Sequence, residues 1–291
     1  MKTLKWLRSE GCTWDAKACA EAAKGGHLEV LKWLREARCP WDESACAGAA
    51  KGGHMEILKW LKSKDCPWDG SARDKAARGG HLEVLKWLRS ERCPWDEWTC
   101  RSAAEKGHLE VLKWLKSEGC PWDESPCAAA AAAYGGHLEV LKWLRSKGCP
   151  WDESTCAAAA KGGHMAVLKW LRSKHCPWDA SACGGAAEGG HLEVLKWLRE
   201  KGCSWDSKTC SWAAVRGDLN MLEYARENGC PWNKGVCECA VRGVQSFASE
   251  DERPLVAHED VLRWALDNGC PFEVKDITWR AHGSGHLGPV L

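Results

Sequence analysis

A period of 27 residues runs through most of the chain and constrains its fold more than any other feature. Tryptophan followed by aspartate returns every 27 residues, and once after 29, and in the ninth copy asparagine replaces the aspartate. The repeats, numbered 1 to 9, begin at Trp14, Trp41, Trp68, Trp95, Trp122, Trp151, Trp178, Trp205 and Trp232. Self-similarity at this period predicts stacked copies of one small unit rather than a single irregular core.

Each repeat has the pattern of two short helices. In repeat 2, Asp42 or Ser44 can cap a first, alanine-rich helix, and the pair Gly52-Gly53 can end it by adopting positive φ. The apolar residues between positions 57 and 61 follow helical spacing and predict a second helix with one buried face. One repeat buries too little apolar surface to fold alone, so the pattern predicts an all-α solenoid of stacked helix pairs.

Charge and cysteine content limit the classes of function. The chain has 41 Lys and Arg against 40 Asp and Glu, a net charge of +1, which does not favour binding to nucleic acid or to an anionic membrane. No signal-peptide pattern opens the sequence, and its 19 cysteines are compatible with a reducing compartment. We therefore expect an intracellular, cytoplasmic protein whose partner is another protein.

The stretch from Ser44 to Leu58 resembles the ankyrin repeat, whose pattern is Thr-Pro-Leu-His-x-Ala-Ala-x-x-Gly-His followed by an aliphatic helix. Ser44 stands at the threonine, Ala49-Ala50 at the paired alanines, and Gly53-His54 at the turn. The match recurs through roughly residues 14 to 230. The resemblance implies a helical solenoid that binds protein partners on its concave first-helix face, with the turn histidines hydrogen-bonded to backbone between repeats.

Three departures from the family pattern affect this expectation. The repeat has 27 residues where the family has about 33. A small residue and a cysteine replace the Pro-Leu-His step, and Trp60 takes an aliphatic position. The missing residues belong to the β-turn finger, which we expect to be shortened to a tight turn.

The ends of the array are less regular than its middle. We predict an ankyrin-like array over residues 1–243 that starts in mid-repeat, an inserted polar loop at 244–257, and a degenerate terminal repeat and tail at 258–291. The N-terminal edge has no polar capping helix, so the chain is compatible with a fragment of a longer array. A monomer and end-to-end association through that edge both stay open.

Recurrent cysteine and histidine residues raise the alternative of zinc binding. Cys39, Cys46 and His54 recur at fixed spacing, but they lack the close Cys-x2-Cys pairs of structural zinc sites. We expect these cysteines to serve as small apolar residues, and we predict no metal, no cofactor and no catalytic residue. Cys237 and Cys239 break the pattern and are candidates for exposed thiols.

Positions that vary between repeats are the candidates for reading a partner, because scaffold positions recur. The sixth and seventh residues after each turn tryptophan vary most, with polar and aromatic chemistry concentrated in repeats 3, 4, 8 and 9. The candidate partner-binding residues there and beside them are Arg73, Asp74, Lys75, Trp98, Arg101, Ser102, Trp212 and Glu238. Trp and Arg are frequent interface hot spots. Drift in a decaying array is the competing explanation.

The sequence therefore predicts a non-catalytic scaffold or adaptor that binds a protein. One alternative is a substrate-recognition arm of a larger ubiquitin-ligase or host-manipulation protein. A second alternative is a nucleic-acid platform built from the recurring tryptophans, which the balanced charge disfavours. Packing between repeats is the simpler role for those tryptophans.

Overall fold

The computed structural model describes residues 2–93, 96–120, 127–246 and 252–271. All regular secondary structure in these ranges is helical, which confirms the predicted all-α class. The helix α1, Lys2–Ser9, precedes repeat 1. The first helices of repeats 1 to 9 are α2 Ala16–Lys24, α4 Glu43–Gly52, α6 Gly70–Gly79, α8 Glu97–Glu105, α10 Cys127–Tyr134, α12 Glu153–Lys161, α14 Ala180–Gly189, α16 Ser207–Val215 and α18 Gly235–Ser246.

Each first helix is followed by an antiparallel partner with an aliphatic buried face. The second helices are α3 Leu28–Glu36, α5 Met55–Ser63, α7 Leu82–Ser90, α9 Leu109–Ser117, α11 Leu138–Ser146, α13 Met165–Ser173, α15 Leu192–Glu200, α17 Leu219–Glu227 and α19 Glu252–Asp267. In repeat 2, Ile57, Leu58 and Leu61 are buried against the small side chains of α4, including Ala45 and Ala49. Small residues on one helix and large ones on the other let the pair pack closely.

The Trp-Asp pair marks the start of each first helix because its aspartate is the N-cap. The Asp42 carboxylate accepts a 3.0 Å hydrogen bond from the backbone N–H of Ser44. This satisfies one of the amide groups that a helix start leaves unpaired. The same cap is made by Asp15, Asp69, Asp96, Asp152, Asp179 and Asp206.

The Gly-Gly-His segment forms a joint between neighbouring repeats. Gly53 has φ +76°, and the Nε2–H of His54 donates to the carbonyl of Lys24, at 3.1 Å, where the first helix of the preceding repeat ends. A Cβ on Gly52 would lie 2.4 Å from that carbonyl oxygen, so only glycine permits this approach. The predicted hydrogen bonds from turn histidines to backbone between repeats are thereby confirmed in this joint.

The joint keeps its geometry when the chain between the histidine and its carbonyl partner is longer. His54, His81, His108 and His164 each contact a carbonyl 30 positions earlier. In the longer repeat 5, His137 lies 3.0 Å from the carbonyl of Glu105, 32 positions earlier. In repeat 9, His258 lies 2.8 Å from the carbonyl of Val215, 43 positions earlier.

The chain divides into two compact units, residues 1–203 and 204–291. In the first unit the first helices α2 to α14 pack in order, each on the next. In the second unit α16 packs on α18, and α19 packs on α18.

The end of the array corrects one sequence expectation. We predicted a polar loop at 244–257, but α18 continues to Ser246 and α19 begins at Glu252. Pro254 stands in the first turn of α19, where a missing backbone N–H removes no helical hydrogen bond. Residues 247–251 and the predicted tail beyond 271 lie outside the described residues.

Candidate partner-binding surface

The first-helix face of repeats 3 and 4 contains most of the candidate residues. Lys75 on α6 and Arg101 on α8 are exposed, and Asp74 and Ser102 are half-buried. Trp98, at the start of α8, is 52% exposed, which is unusual for so large an apolar side chain. These residues project from rigid helices whose other faces are packed on neighbouring repeats.

Trp98 and Arg101 form a stacked pair on this surface. They lie three positions apart, on one side of α8, and the guanidinium carbon of Arg101 is 4.8 Å from the centre of the Trp98 ring. A cation at this distance from an aromatic ring is attracted to its π-electrons. The contact holds two bulky side chains together in solvent, so less conformational entropy is lost when a partner binds them.

Arg73 is not available to a partner, which corrects the sequence-based choice of this residue. Its side chain is only 2% exposed and occupies the place that a cysteine fills in most other repeats. Its Nη2 donates to the Asp96 carboxylate at 2.7 Å, and its Nε donates to Asp74 at 3.2 Å. A buried guanidinium requires such acidic partners, and the chain supplies them from repeats 3 and 4.

Two residues that the sequence analysis did not select complete this network. Asp96 both caps α8 and accepts from Arg73, and the Thr99 hydroxyl donates to Asp74 at 3.0 Å. Burial raises the pKa of Asp74 above its ordinary value of 3.8, although the charge of Arg73 acts in the opposite direction. The 27-residue period could have indicated Asp96 as a partner of Arg73. In stacked repeats, the aspartate that caps one first helix lies beside the first helix of the preceding repeat.

A groove of about 570 Å³ opens on the first helices of repeats 1 to 3. Small residues, Ala20, Ala47 and Gly48, line it, and a Cβ on Gly48 would lie 2.5 Å from the carbonyl oxygen of Ala20. The charged side chains around these small residues are Asp15, Lys17, Glu21, Lys24, Asp42, Lys51 and Lys75. The sequence analysis did not select this groove, apart from Lys75.

The remaining candidates, Trp212 and Glu238, belong to the second unit. Trp212 is half-buried on α16, and Glu238 on α18 is 3.8 Å from the ammonium group of Lys234. Among the described residues of this unit, no contact gathers them into a cluster like that of Trp98 and Arg101.

The comparison with known families agrees with the geometry. The family model for ankyrin repeats, in many copies, matches residues 100–145 and 127–172. Residues 100–172 therefore match ankyrin repeats. The matched segments cover parts of repeats 4 to 6, and the same helix pair and joint recur on both sides of them. No curated protein matches the chain.

The connection between α5 and α6 is compact, whereas ankyrin repeats carry a β-turn finger at this place. Residues 64–69 connect α5 to α6, and none of them lies in a strand. The expected shortening of the finger is therefore present in this connection.

The tryptophans of the ankyrin repeats pack at the connections between them. Trp41 and Trp60 meet edge to face with ring centres 5.9 Å apart, and the guanidinium of Arg35, from the preceding repeat, lies 3.8 Å from the Trp41 ring centre. Related contacts recur at Trp151 and Trp178. These tryptophans are half-buried, and the chain's own cations cover their rings, so they stabilise the contact between repeats.

Two of the buried cysteines contact each other within one repeat, which the spacing alone did not predict. In repeat 4 the sulfur atoms of Cys100 and Cys120 are 3.6 Å apart, and the Cys120 thiol faces the backbone carbonyl of Asp96 at 3.7 Å. This contact and burial raise the pKa of the Cys100 thiol, and burial raises that of Cys19 to about 12. The raised pKa keeps the Cys19 and Cys100 thiols protonated, and their burial agrees with the predicted apolar role of these cysteines.

The two cysteines that break the pattern differ in exposure. Cys237 is completely buried, so its predicted exposure is wrong, while Cys239 is half-buried. Burial raises the pKa of the Cys237 thiol.

Among the described residues, no three His, Cys, Asp or Glu side chains are grouped so as to hold a metal ion. Over the same ranges no helix combines the length and apolar content needed to cross a bilayer.

Proposed function

We propose that this protein is a non-catalytic scaffold or adaptor that binds a protein partner on its first-helix face. Ankyrin repeats generally mediate protein–protein interaction and are typically non-catalytic. Our proposal also assigns the surface that contacts the partner. It places the contact on α6 and α8, around Lys75, Trp98, Arg101 and Ser102.

The observation that carries the proposal is the exposed Trp98–Arg101 pair. The other tryptophans with described exposure are half-buried, apart from Trp6 on α1, which is 58% exposed. Trp98 instead lies 52% exposed beside a cation. Tryptophan and arginine are the residue types most enriched among the side chains that dominate binding energy.

Arg73 has an indirect role in this proposal. Its ion pair with Asp96 connects repeat 3 to the N-terminus of α8, and the backbone N–H of Trp98 donates to the same Asp96 carboxylate at 3.1 Å. The buried network therefore fixes the start of the helix that carries Trp98. We assign Arg73 to positioning the surface and not to contacting the partner.

A capture experiment with a matched surface control tests this function. The immobilised chain and a Trp98→Ala/Arg101→Ala variant are incubated with lysate of the source cell, and retained proteins are identified by mass spectrometry. A Glu110→Ala/Lys113→Ala variant is the control, because these exposed residues lie on α9 of the same repeat. We expect a protein retained by the parent and the control and lost from the first variant. Equal retention by all three would contradict the proposed surface.

A further inference from the structure

The basic groove of repeats 1 to 3 has a charge that the chain does not neutralise. Lys24 pairs with Glu21 at 2.8 Å, while among the described residues Lys17, Lys51 and Lys75 have no ion pair. The acidic groups Asp15 and Asp42 are occupied as helix caps, each accepting a backbone N–H. The positive end of the helix dipole offsets their charge. The groove is therefore cationic despite the balanced composition of the chain.

Equivalent positions elsewhere in the array show that the excess of positive charge is specific to repeats 1 and 2. Lys24, Lys51, Arg78 and Lys161 occupy the same place, at the C-terminal end of a first helix. Arg78 and Lys161 are neutralised by an acid at that place in the next repeat, Glu105 at 2.6 Å and Glu188 at 2.5 Å. Lys24 and Lys51 are followed instead by another cation, which leaves like charges in consecutive repeats.

Glu21 shows which chemistry the groove attracts. The hydrogen bond from Lys24 lowers the pKa of this carboxyl group, and the charges of Lys17 and Lys51 act in the same direction. The carboxylate of an incoming peptide would meet the same three ammonium groups. The groove between these ammonium groups is lined by the small residues Ala20, Ala47 and Gly48.

We propose that this groove binds an acidic peptide segment, with carboxylate side chains paired to Lys17, Lys51 and Lys75. The inference rests on the proposed function and adds the chemistry of the partner. Successive first helices are about 8–10 Å apart, so an extended segment with an acidic residue at about every third position can reach consecutive repeats.

Fluorescence anisotropy with a short fluorescein-labelled oligoglutamate peptide tests this inference. We expect binding that weakens when salt rises from about 0.02 M to about 0.3 M, because salt screens exposed charges. A Lys17→Glu/Lys51→Glu variant should bind at least about tenfold more weakly. The matched control is Lys59→Glu/Lys169→Glu, which makes the same charge change at exposed second-helix sites and should bind within about twofold of the parent. Circular dichroism checks that both variants keep their helices.

Three results of this binding assay would overturn the inference. They are absence of oligoglutamate binding at low salt, equal weakening by both charge-reversal variants, and tighter binding of a labelled oligothymidylate that displaces the peptide. The last result would assign the groove to nucleic acid. A captured protein that depends on Trp98 and Arg101 but is indifferent to Lys17→Glu/Lys51→Glu would overturn the peptide-binding role of the basic groove alone. Oligoglutamate binding without any Trp98-dependent capture would overturn the proposed surface alone.

Discussion

The guanidinium group of Arg73 donates a 2.7 Å hydrogen bond to the carboxylate of Asp96, the residue that caps the first helix of the next repeat. A side chain in the core of one repeat thus holds the start of the following helix. Replacing Arg73 with alanine leaves Asp74 half-buried and without its cationic partner. We expect the free energy of unfolding to fall by about 1–3 kcal/mol, the usual cost of an unsatisfied buried polar group.

Urea unfolding followed by circular dichroism measures this effect. The control is Lys86→Ala, which breaks an exposed ion pair with Glu83 and should change stability by less than about 1 kcal/mol. Equal stability of the Arg73→Ala variant and the parent would contradict a stabilising role for the buried network.

The stability contribution of Asp74 should depend on pH. Because burial raises the pKa of its carboxyl group above 3.8, the folded state binds its proton more tightly than the unfolded state. This contribution is therefore largest at low pH and declines as pH rises from 3.8 through the folded-state pKa. The difference in unfolding free energy between the parent and Asp74→Asn should follow this decline in urea titrations at several pH values. If this difference in unfolding free energy stayed constant with pH, or changed in the opposite direction, burial would not control the pKa of Asp74.

Adjacent glycines in α14 should respond oppositely to alanine. A Cβ at Gly185 would lie 2.5 Å from the backbone oxygen of Ala157 on α12, whereas a Cβ at Gly184 meets no atom within 4 Å. We expect Gly185→Ala to destabilise by about 1–3 kcal/mol because the two helices must separate. Gly184→Ala should stabilise by about 0.5–1 kcal/mol, since alanine favours the helix. Thermal unfolding of both variants checks the difference, and shifts of the same sign would refute the close helix packing.

Thiol reactivity should separate the cysteines by burial. Among those with described side chains, Cys12 is exposed, Cys239 is half-buried and the others are buried. In native protein, Ellman's reagent should modify Cys12 first, and Cys12→Ser should remove the fast phase. Groups such as Cys19 and Cys100 should react only as the protein unfolds, because the thiolate is the reactive form and burial raises the pKa of both thiols. Rapid reaction of most thiols in native protein would contradict the closed packing.

The regular parts of the fold follow from local chemistry and were predictable. Aspartate before a helix, glycine at its end and an aliphatic stripe along the second helix act within one repeat. The exposed Trp98–Arg101 pair was also within reach, because both residues depart from a repeating pattern at helical spacing.

The remaining features depend on neighbours that are far apart in sequence. Arginine is usually exposed, so the burial of Arg73 could not be inferred without knowing that Asp96, 23 positions later, lies beside it. The contact between Cys100 and Cys120 likewise joins opposite ends of one repeat. Polar residues near Pro254 suggested a loop, although proline is tolerated at the helix start where the structure places it.

The histidine joint makes the array tolerant of length changes. The contact spans 30 residues at four of these six histidines, 32 at His137 and 43 at His258, and its distance stays between 2.8 and 3.1 Å. Extra residues are therefore accommodated ahead of the histidine without shifting the phase of the helices. The 43-residue interval at His258 shows that the stretch ahead of the histidine can lengthen while the contact is kept. An array built in this way can acquire new recognition loops one repeat at a time while its scaffold remains in register.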